Sequence, residues 1–132
     1  MSRQNRCAPV AVIVDDCPET RQTAASAAHA CGWEAELFAS PEELFLLASP
    51  PEFVSDLCVP RADAFLVSLD FPSLEGRRLV NWLAASERWG GVPLAGVTAR
   101  RERALHPLVD SAVPVLERPL KESELTAFFE AA

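Results

Sequence analysis

The sequence predicts an α/β fold: five parallel strands with helices on both faces, a doubly wound (βα)5 sandwich. Three observations carry that expectation. Short apolar runs alternate with longer helix-patterned stretches from Val10 to Phe129. The helix-patterned stretches open on capping residues and prolines and close on glycines. Four of the five runs stop at a polar residue: Asp15-Asp16 after Val10–Val14, Ser68 after Phe65–Val67, Thr98 after Leu94–Val97, and Arg118 after Val113–Leu116. In an open parallel sheet the carboxyl ends of the strands line one crevice, where ligand chemistry takes place. Acids, hydroxyls and one guanidinium far apart in sequence are therefore expected to converge.

Taken in order, Val10–Val14 is continuous and mostly β-branched, as in a strand buried on both faces. Asp16-Cys17-Pro18-Glu19 then offers a capping carboxylate, a Pro near the first helical position and an acid in the first turn. The helix that follows is rich in alanine (Ala24, Ala25, Ala27, Ala28, Ala30), which permits close packing on a sheet, and Gly32 sits where a C′ glycine would stop it. Trp33–Phe38 alternates apolar residues with Glu and reads as a short second strand nearer an edge. Ser40-Pro41-Glu42-Glu43 is a capping box opening a helix through Leu44–Ala48, which Ser49-Pro50-Pro51 breaks. Residues 49–62 read as a long surface connection. Ala64–Val67 is the central strand. Leu79–Trp89 is helical, with Leu79, Val80, Leu83 and Trp82 toward the sheet and Gly90-Gly91 at its end. Pro93–Val97 is the fourth strand, Ala99–Leu105 begins a helix that Pro107 disturbs, Val113–Leu116 is the fifth strand, and Glu122–Phe129 the last helix.

The bulk numbers narrow the function classes. The 132 residues fit a single domain, with a core at about residues 8–130. The apolar fraction of 49% and charged fraction of 23% belong to a soluble globular chain. A net charge of −7 opposes unaided binding to nucleic acid, which rests on Lys and Arg neutralising phosphates. Cys7, Cys17, Cys31 and Cys58 form no C-x-x-C pair, and neither His29 nor His106 has a partner at metal-ligand spacing. The cysteines read as reduced, mostly buried or incidental thiols of a cytoplasmic protein, and His29 and His106 as a helix-face and a helix-end residue. Met1–Arg6 is polar and basic with no apolar stretch behind it, and no run reaches the ~18 apolar residues that span a bilayer.

The motifs, taken together and in order, resemble the response-regulator receiver domain of two-component signalling, over roughly residues 8–130. Val12-Ile13-Val14-Asp15-Asp16 is similar to the acidic pair that holds Mg²⁺ beside the phosphoacceptor in that family. In the segment from Asp63 to Gly76 the resemblance places an acceptor Asp five residues after an Asp, four before a Pro and eight before a Gly. Asp63, Pro72 and Gly76 all point to position 68, which is a serine. Val97-Thr98-Ala99 looks like the switch hydroxyl followed by a small residue, and Glu117-Arg118-Pro119-Leu120 stands where the family has Lys-Pro-Phe. Val115 occupies the place of the aromatic whose rotamer reports phosphorylation. The resemblance implies a CheY-like, flavodoxin-type sandwich.

The departures are chemical. A serine hydroxyl is a poor nucleophile without a base, and its phosphate ester would not turn over like an acyl phosphate. Losing the carboxylate at position 68 leaves only Asp15 and Asp16 for a hard dication, so Mg²⁺ binding is expected to be weak or absent. Arg118 replaces a flexible ammonium by a planar fork. One expectation is an ion pair from Asp15 or Asp16 to Arg118 in place of the metal; another is that Asp16 merely caps the first helix. Ser68 reads as a small satisfied hydroxyl or a kinase-modified one, and Thr98 as a structural hydroxyl or a working switch. Asp70 is the alternative, displaced acceptor, but it lies two residues on, where side-chain direction and loop position differ from those of position 68. No G-x-S-x-G surrounds Ser68, so the nucleophile-elbow reading fails. Arg100, Arg101 and Arg103 form a basic patch that is either a solvated face or a docking site for an acidic partner. Any of Trp33, Trp82 and Trp89 left exposed would suggest an interface, with core packing the default.

The function expected is that of a stand-alone pseudo-receiver: a non-enzymatic protein–protein interaction module, without cofactor, that acts independently of aspartyl phosphorylation. The alternative is a phosphorylatable regulator using Asp70 or Ser68 with Mg²⁺. The resemblance implies a partner or dimer surface on the fourth helix, fifth strand and fifth helix, here Leu105, Leu108, Val109, Leu125 and Phe129. The partner would be a histidine kinase, another response regulator, a transcription factor or a second copy, with neither membrane nor nucleic acid touched directly. With Ala132 just past the last helix, output is expected to run through another protein.

Overall fold

The computed structural model describes residues 8–46, 61–71, 75–99 and 113–132. The elements in chain order are β1 (Val10–Val14), α1 (Pro18–Ala30), β2 (Glu34–Phe38), α2 (Pro41–Leu46), β3 (Ala64–Ser68), α3 (Glu75–Ala85), β4 (Leu94–Thr98), β5 (Val115–Glu117) and α4 (Glu122–Ala131). All four strand pairings are parallel, in the order β2-β1-β3-β4-β5. This is the doubly wound sheet the sequence predicts, with β2 at an edge. Pro72, most of the 49–62 connection, the basic patch, Cys7, Cys58 and His106 lie outside the described residues. So do Leu105, Leu108 and Val109.

The alternation of side chains in each strand divides the core into two layers. On one face Val12, Val14, Phe65 and Val67 pack with Leu44 of α2 and with Leu79, Val80 and Leu83 of α3. On the other, Ala11, Ile13, Ala64, Leu66, Ala95 and Val97 meet the alanine face of α1 (Ala24, Ala27, Ala28) and Leu125 and Phe129 of α4. The small side chains of α1 let α4 and Trp33 close over them, and the Trp33 and Phe129 rings lie 5.2 Å apart.

Helix termini follow local chemistry. α1 stops at a Schellman turn: Gly32 adopts φ +86°, its N–H donates to the His29 carbonyl, and Trp33 N–H reaches back to the Ala28 carbonyl. At α2 the Ser40 hydroxyl accepts from Glu43 N–H at 3.2 Å while the Glu43 carboxylate accepts from Ala39 N–H at 2.9 Å, a capping box shifted by one residue at its return bond. At α1 the expected cap is corrected. Cys17, not Asp16, is the N-cap residue, and the carboxylate that takes its N–H is Asp15, at 2.9 Å.

Two other expectations change. The helix expected over Leu79–Trp89 runs from Glu75 to Ala85, because Ser86 takes over the chain. Its hydroxyl accepts from Trp89 N–H and its carbonyl from Gly90 N–H, a local turn that competes with helix continuation. The turn tucks Trp89 edge-on against Phe65 at 5.6 Å. Trp33 is buried in the α1-side layer and Trp89 in the α3-side layer, against which Trp82 is half-buried. Leu125 and Phe129, expected on a docking surface, are 0% and 1% exposed. They stand one helical turn apart, on the side of α4 that faces the sheet and α1, so neither can meet a partner.

Two residues flanking β3 have structural causes for their spacing. The Asp63 carboxylate accepts from Val10 N–H at 2.8 Å and from Arg61 Nε at 2.9 Å, and Asp63 N–H donates to the Val10 carbonyl, so Asp63 ties the start of β1 to the start of β3. At the other end, α3 passes so close to β3 that a Cβ on Gly76 would run into the Ser68 carbonyl oxygen. Helix propensity alone favours Ala over Gly by roughly 1 kcal/mol. Gly76→Ala is nevertheless expected to destabilise the protein by about 1–3 kcal/mol through overpacking, read as a lower urea midpoint. Gly91→Ala, with no atom of the described residues beyond its chain neighbours within 4 Å of the added carbon, serves as the neutral control.

Candidate functional site

Strand register gathers the polar strand ends. Val14 pairs with Val67, Ser68 with Val97, and Thr98 with Glu117, so the residues at or just past these strand ends line one rim of the sheet. Ladder bonds continue into the rim: Asp15 N–H donates to the Phe38 carbonyl, Leu69 N–H to Val97 and Arg118 N–H to Thr98. Asp15, Ser68 and Thr98 are all buried, at 1%, 0% and 0% exposure.

Arg118 joins them. Its Nη2 donates to Asp15 Oδ2 at 2.7 Å and to Ser68 Oγ at 2.9 Å, while Nη1 donates to Asp70 Oδ2 at 2.7 Å. One planar fork therefore bridges two carboxylates that follow different strands, with the serine between them. Asp70 has further donors: Thr98 Oγ1 reaches Oδ1 at 2.8 Å and Ala99 N–H reaches Oδ2 at 2.6 Å. Asp15 is held at its own end, with Oδ1 on Cys17 N–H and its main-chain carbonyl taking Arg21 Nη1 at 2.6 Å.

Asp70 is the residue whose place the sequence misjudges. It lies two residues past Ser68, where a loop was expected to carry its side chain elsewhere. Instead its own N–H donates to Ser68 Oγ at 3.1 Å. That turn aims the carboxylate at Thr98 and Arg118. Ser68 and Asp70 thus both face the centre. Asp16, paired with Asp15 in sequence, is exposed, and Arg118 reaches Asp15 and Asp70 rather than Asp16. Val115 is half-buried against the α3-side core layer.

The electrostatics follow from this geometry. Burial draws the Arg118 pKa down, but the hydrogen bond to Asp15 and the charges of Asp15 and Asp70 outweigh it, and the guanidinium titrates above its ordinary value. A cationic group raised in the folded state contributes fully below its unfolded pKa and loses that contribution only as pH rises through the folded value. The bridge through Arg118 is therefore lost by arginine titration only in strong alkali. The donor set does not suit a hard dication: Asp15 is committed to Arg118 and Cys17, position 68 is neutral, and a cation already stands between the carboxylates. Among the described residues no group of three or more His, Cys, Asp or Glu is placed to hold a metal ion. The Cys17 thiol is drawn below its ordinary value, chiefly by the Thr20 hydroxyl and amide.

No protein-family model matches this sequence, and no curated protein does. Solved structures match it in shape. The chemotaxis protein CheY4 of Vibrio cholerae superimposes with a TM-score of 0.69 at 18% identity, over 95% of this chain and 98% of its own. A sensor protein from a Polaromonas species gives 0.71 at 25% identity, over 94% of each chain. A response regulator from Thermotoga maritima gives 0.70 at 16%, over 95% and 97%. The structural neighbours are CheY-like receiver domains, and the fold is theirs. Among the described residues no helix is long and apolar enough to cross a membrane.

Two measurements check the site. Arg118→Ala leaves two carboxylates facing each other and is expected to cost about 3 kcal/mol, a fall in melting temperature of roughly 10 °C. Arg118→Lys, one ammonium that cannot serve both acids as a fork, is expected to fall between Ala and wild type. Alkylation of Cys17 by iodoacetamide, followed by peptide mass mapping, is expected to show a pH midpoint below the ~8.5 of a free thiol.

Proposed function

We propose that this chain is a receiver-type signalling module that works as a protein-binding domain without aspartyl phosphorylation. The observation that carries the reading is the Arg118 fork joined to Asp15, Ser68 and Asp70 together. The likeness to receiver domains supports the signalling class; the chemistry of the rim supports the absence of a phosphorylation cycle.

Ser68 Oγ accepts from both Arg118 and the Asp70 amide, which engages the two lone pairs with which it would attack phosphorus. Asp70, the alternative acceptor, has hydrogen-bond donors on both oxygens. A carboxylate whose lone pairs are so engaged is a weak nucleophile. The cation that would neutralise an incoming phosphoryl group is supplied by Arg118, which is already neutralised by two acids, and Mg²⁺ has no vacant carboxylate pair. We therefore read the chain as a binding module and not an enzyme, with no cofactor.

Its partner in this reading is another protein of a two-component-type pathway or a second copy of the chain. Leu125 and Phe129 take no part in that contact, since the core holds both. Intact mass after incubation with acetyl phosphate and Mg²⁺ tests the proposal: no phosphate adduct is expected. An alkali-labile adduct mapping to Asp70, or a stable one on Ser68, would establish the phosphorylatable regulator instead.

A further inference from the structure

We propose that Asp70 is the resident anion of an oxyanion pocket, filling from within the chain a place that takes a free carboxylate or inorganic phosphate once Asp70 is removed. Among the described residues the groups on the Asp70 carboxylate are donors: the Thr98 hydroxyl, the Ala99 amide and Arg118 Nη1. A hydroxyl, a main-chain amide and a guanidinium are chemically unlike, come from the ends of β4 and β5, and converge on the two oxygens of one carboxylate. Such a set recognises an oxyanion by charge and by oxygen geometry, whatever the anion is attached to. The ligand comes from elsewhere, the loop after β3, and belongs to no strand or helix. The rim also holds a surplus donor, because Arg118 Nε is buried without a hydrogen-bond partner among the described residues even with Asp15, Ser68 and Asp70 in place.

Tethering explains why the occupant is permanent. A group fixed to the same chain competes at an effective concentration on the order of millimolar or above, so free anions do not displace it. The end of β4 is then held by a charge that no other protein has to add or remove. The inference gives the phosphorylation-independent reading its physical cause and takes its meaning in signalling from that reading. Its test uses no phosphodonor, so the two stand or fall by different results.

The experiment compares wild type, Asp70→Ala and Asp16→Ala in thermal melts against inorganic phosphate, with acetate as the carboxylate arm and chloride of equal ionic strength as the control. Phosphate stabilises many folded proteins without binding a site. Asp16→Ala, which removes an exposed carboxylate outside the pocket, measures that general effect. Asp70→Ala is expected to melt several degrees below wild type in chloride. Phosphate and acetate are expected to restore at least half of that loss, saturably, while wild type and Asp16→Ala respond only as far as the general effect. Should Asp70→Ala be unfolded in chloride, the proposal requires it to fold when phosphate or acetate is added. Equal responses of Asp70→Ala and Asp16→Ala, or an Asp70→Ala that no anion refolds, would overturn it.

Discussion

A parallel sheet brings its strand ends together whether or not their side chains agree, and here the agreement rests on one guanidinium. Arg118 stands just past β5, at the far edge of the sheet from β2, yet its fork spans to the acid after β1 and the acid after β3. Four of the five strands are linked at this rim by side chains, since Thr98 of β4 enters through Asp70. The burial of Asp15 is tolerable only because Arg118 and the Cys17 amide meet its oxygens; a carboxylate shut away without partners would be strongly unfavourable. The rim is thus a polar network inside an apolar sandwich, in which both carboxylates and both hydroxyls have partners and one buried donor, Arg118 Nε, has none among the described residues.

The two ends of the sheet solve the same problem differently. At the amino ends of β1 and β3, Asp63 couples the chain by a single carboxylate on a main-chain amide, with Arg61 as an outer partner. This pair is partly solvated, and its ionic part counts for little. At the carboxyl ends Asp15 is buried, Arg118 and Asp70 are half-buried, and the three are interdependent, so loss of any one is felt by the rest. The acidic net charge of the chain does not weaken this, because the local balance around Arg118 is set at contact distances while most other acids among the described residues are exposed.

Much of the fold was legible because hydrophobic period and turn chemistry agree in most segments. Val10–Val14 can hardly be other than a doubly buried strand, Gly32 stops α1 as expected, and the Ser40-Pro41-Glu42-Glu43 box opens α2. Where a local hydrogen bond competes with the period, boundaries slipped: Ser86 ends α3 before the glycines do, and Asp15 supplies the carboxylate at α1. The members of the site were readable as strand ends, but their partners were not. Alternation says which face a strand residue takes; it is silent once the chain leaves the sheet, and Asp70 lies there. A hydroxyl followed two residues on by an acid was the available signal, since such a hydroxyl can accept the acid's own amide and turn it inward. Leu125 and Phe129 fooled the reading for the converse reason, since apolar residues spaced by one helical turn suit a docking face and a core equally.

The sheet has two open margins, and they are guarded in different ways. At β5 only three residues are paired, too short a template for a foreign strand to extend. At β2 the margin is longer, but Glu34 and Glu36 stand exposed along it beside the outward Leu37. Two copies approaching margin to margin would oppose these like charges before any main-chain bonds could form, which discourages fibrillar stacking at neutral pH. That repulsion keeps the outward Leu37 of one copy from an apolar contact with another, so concentrated stocks of this protein keep best well above its sequence pI of about 4.8, where the net charge is strongly negative.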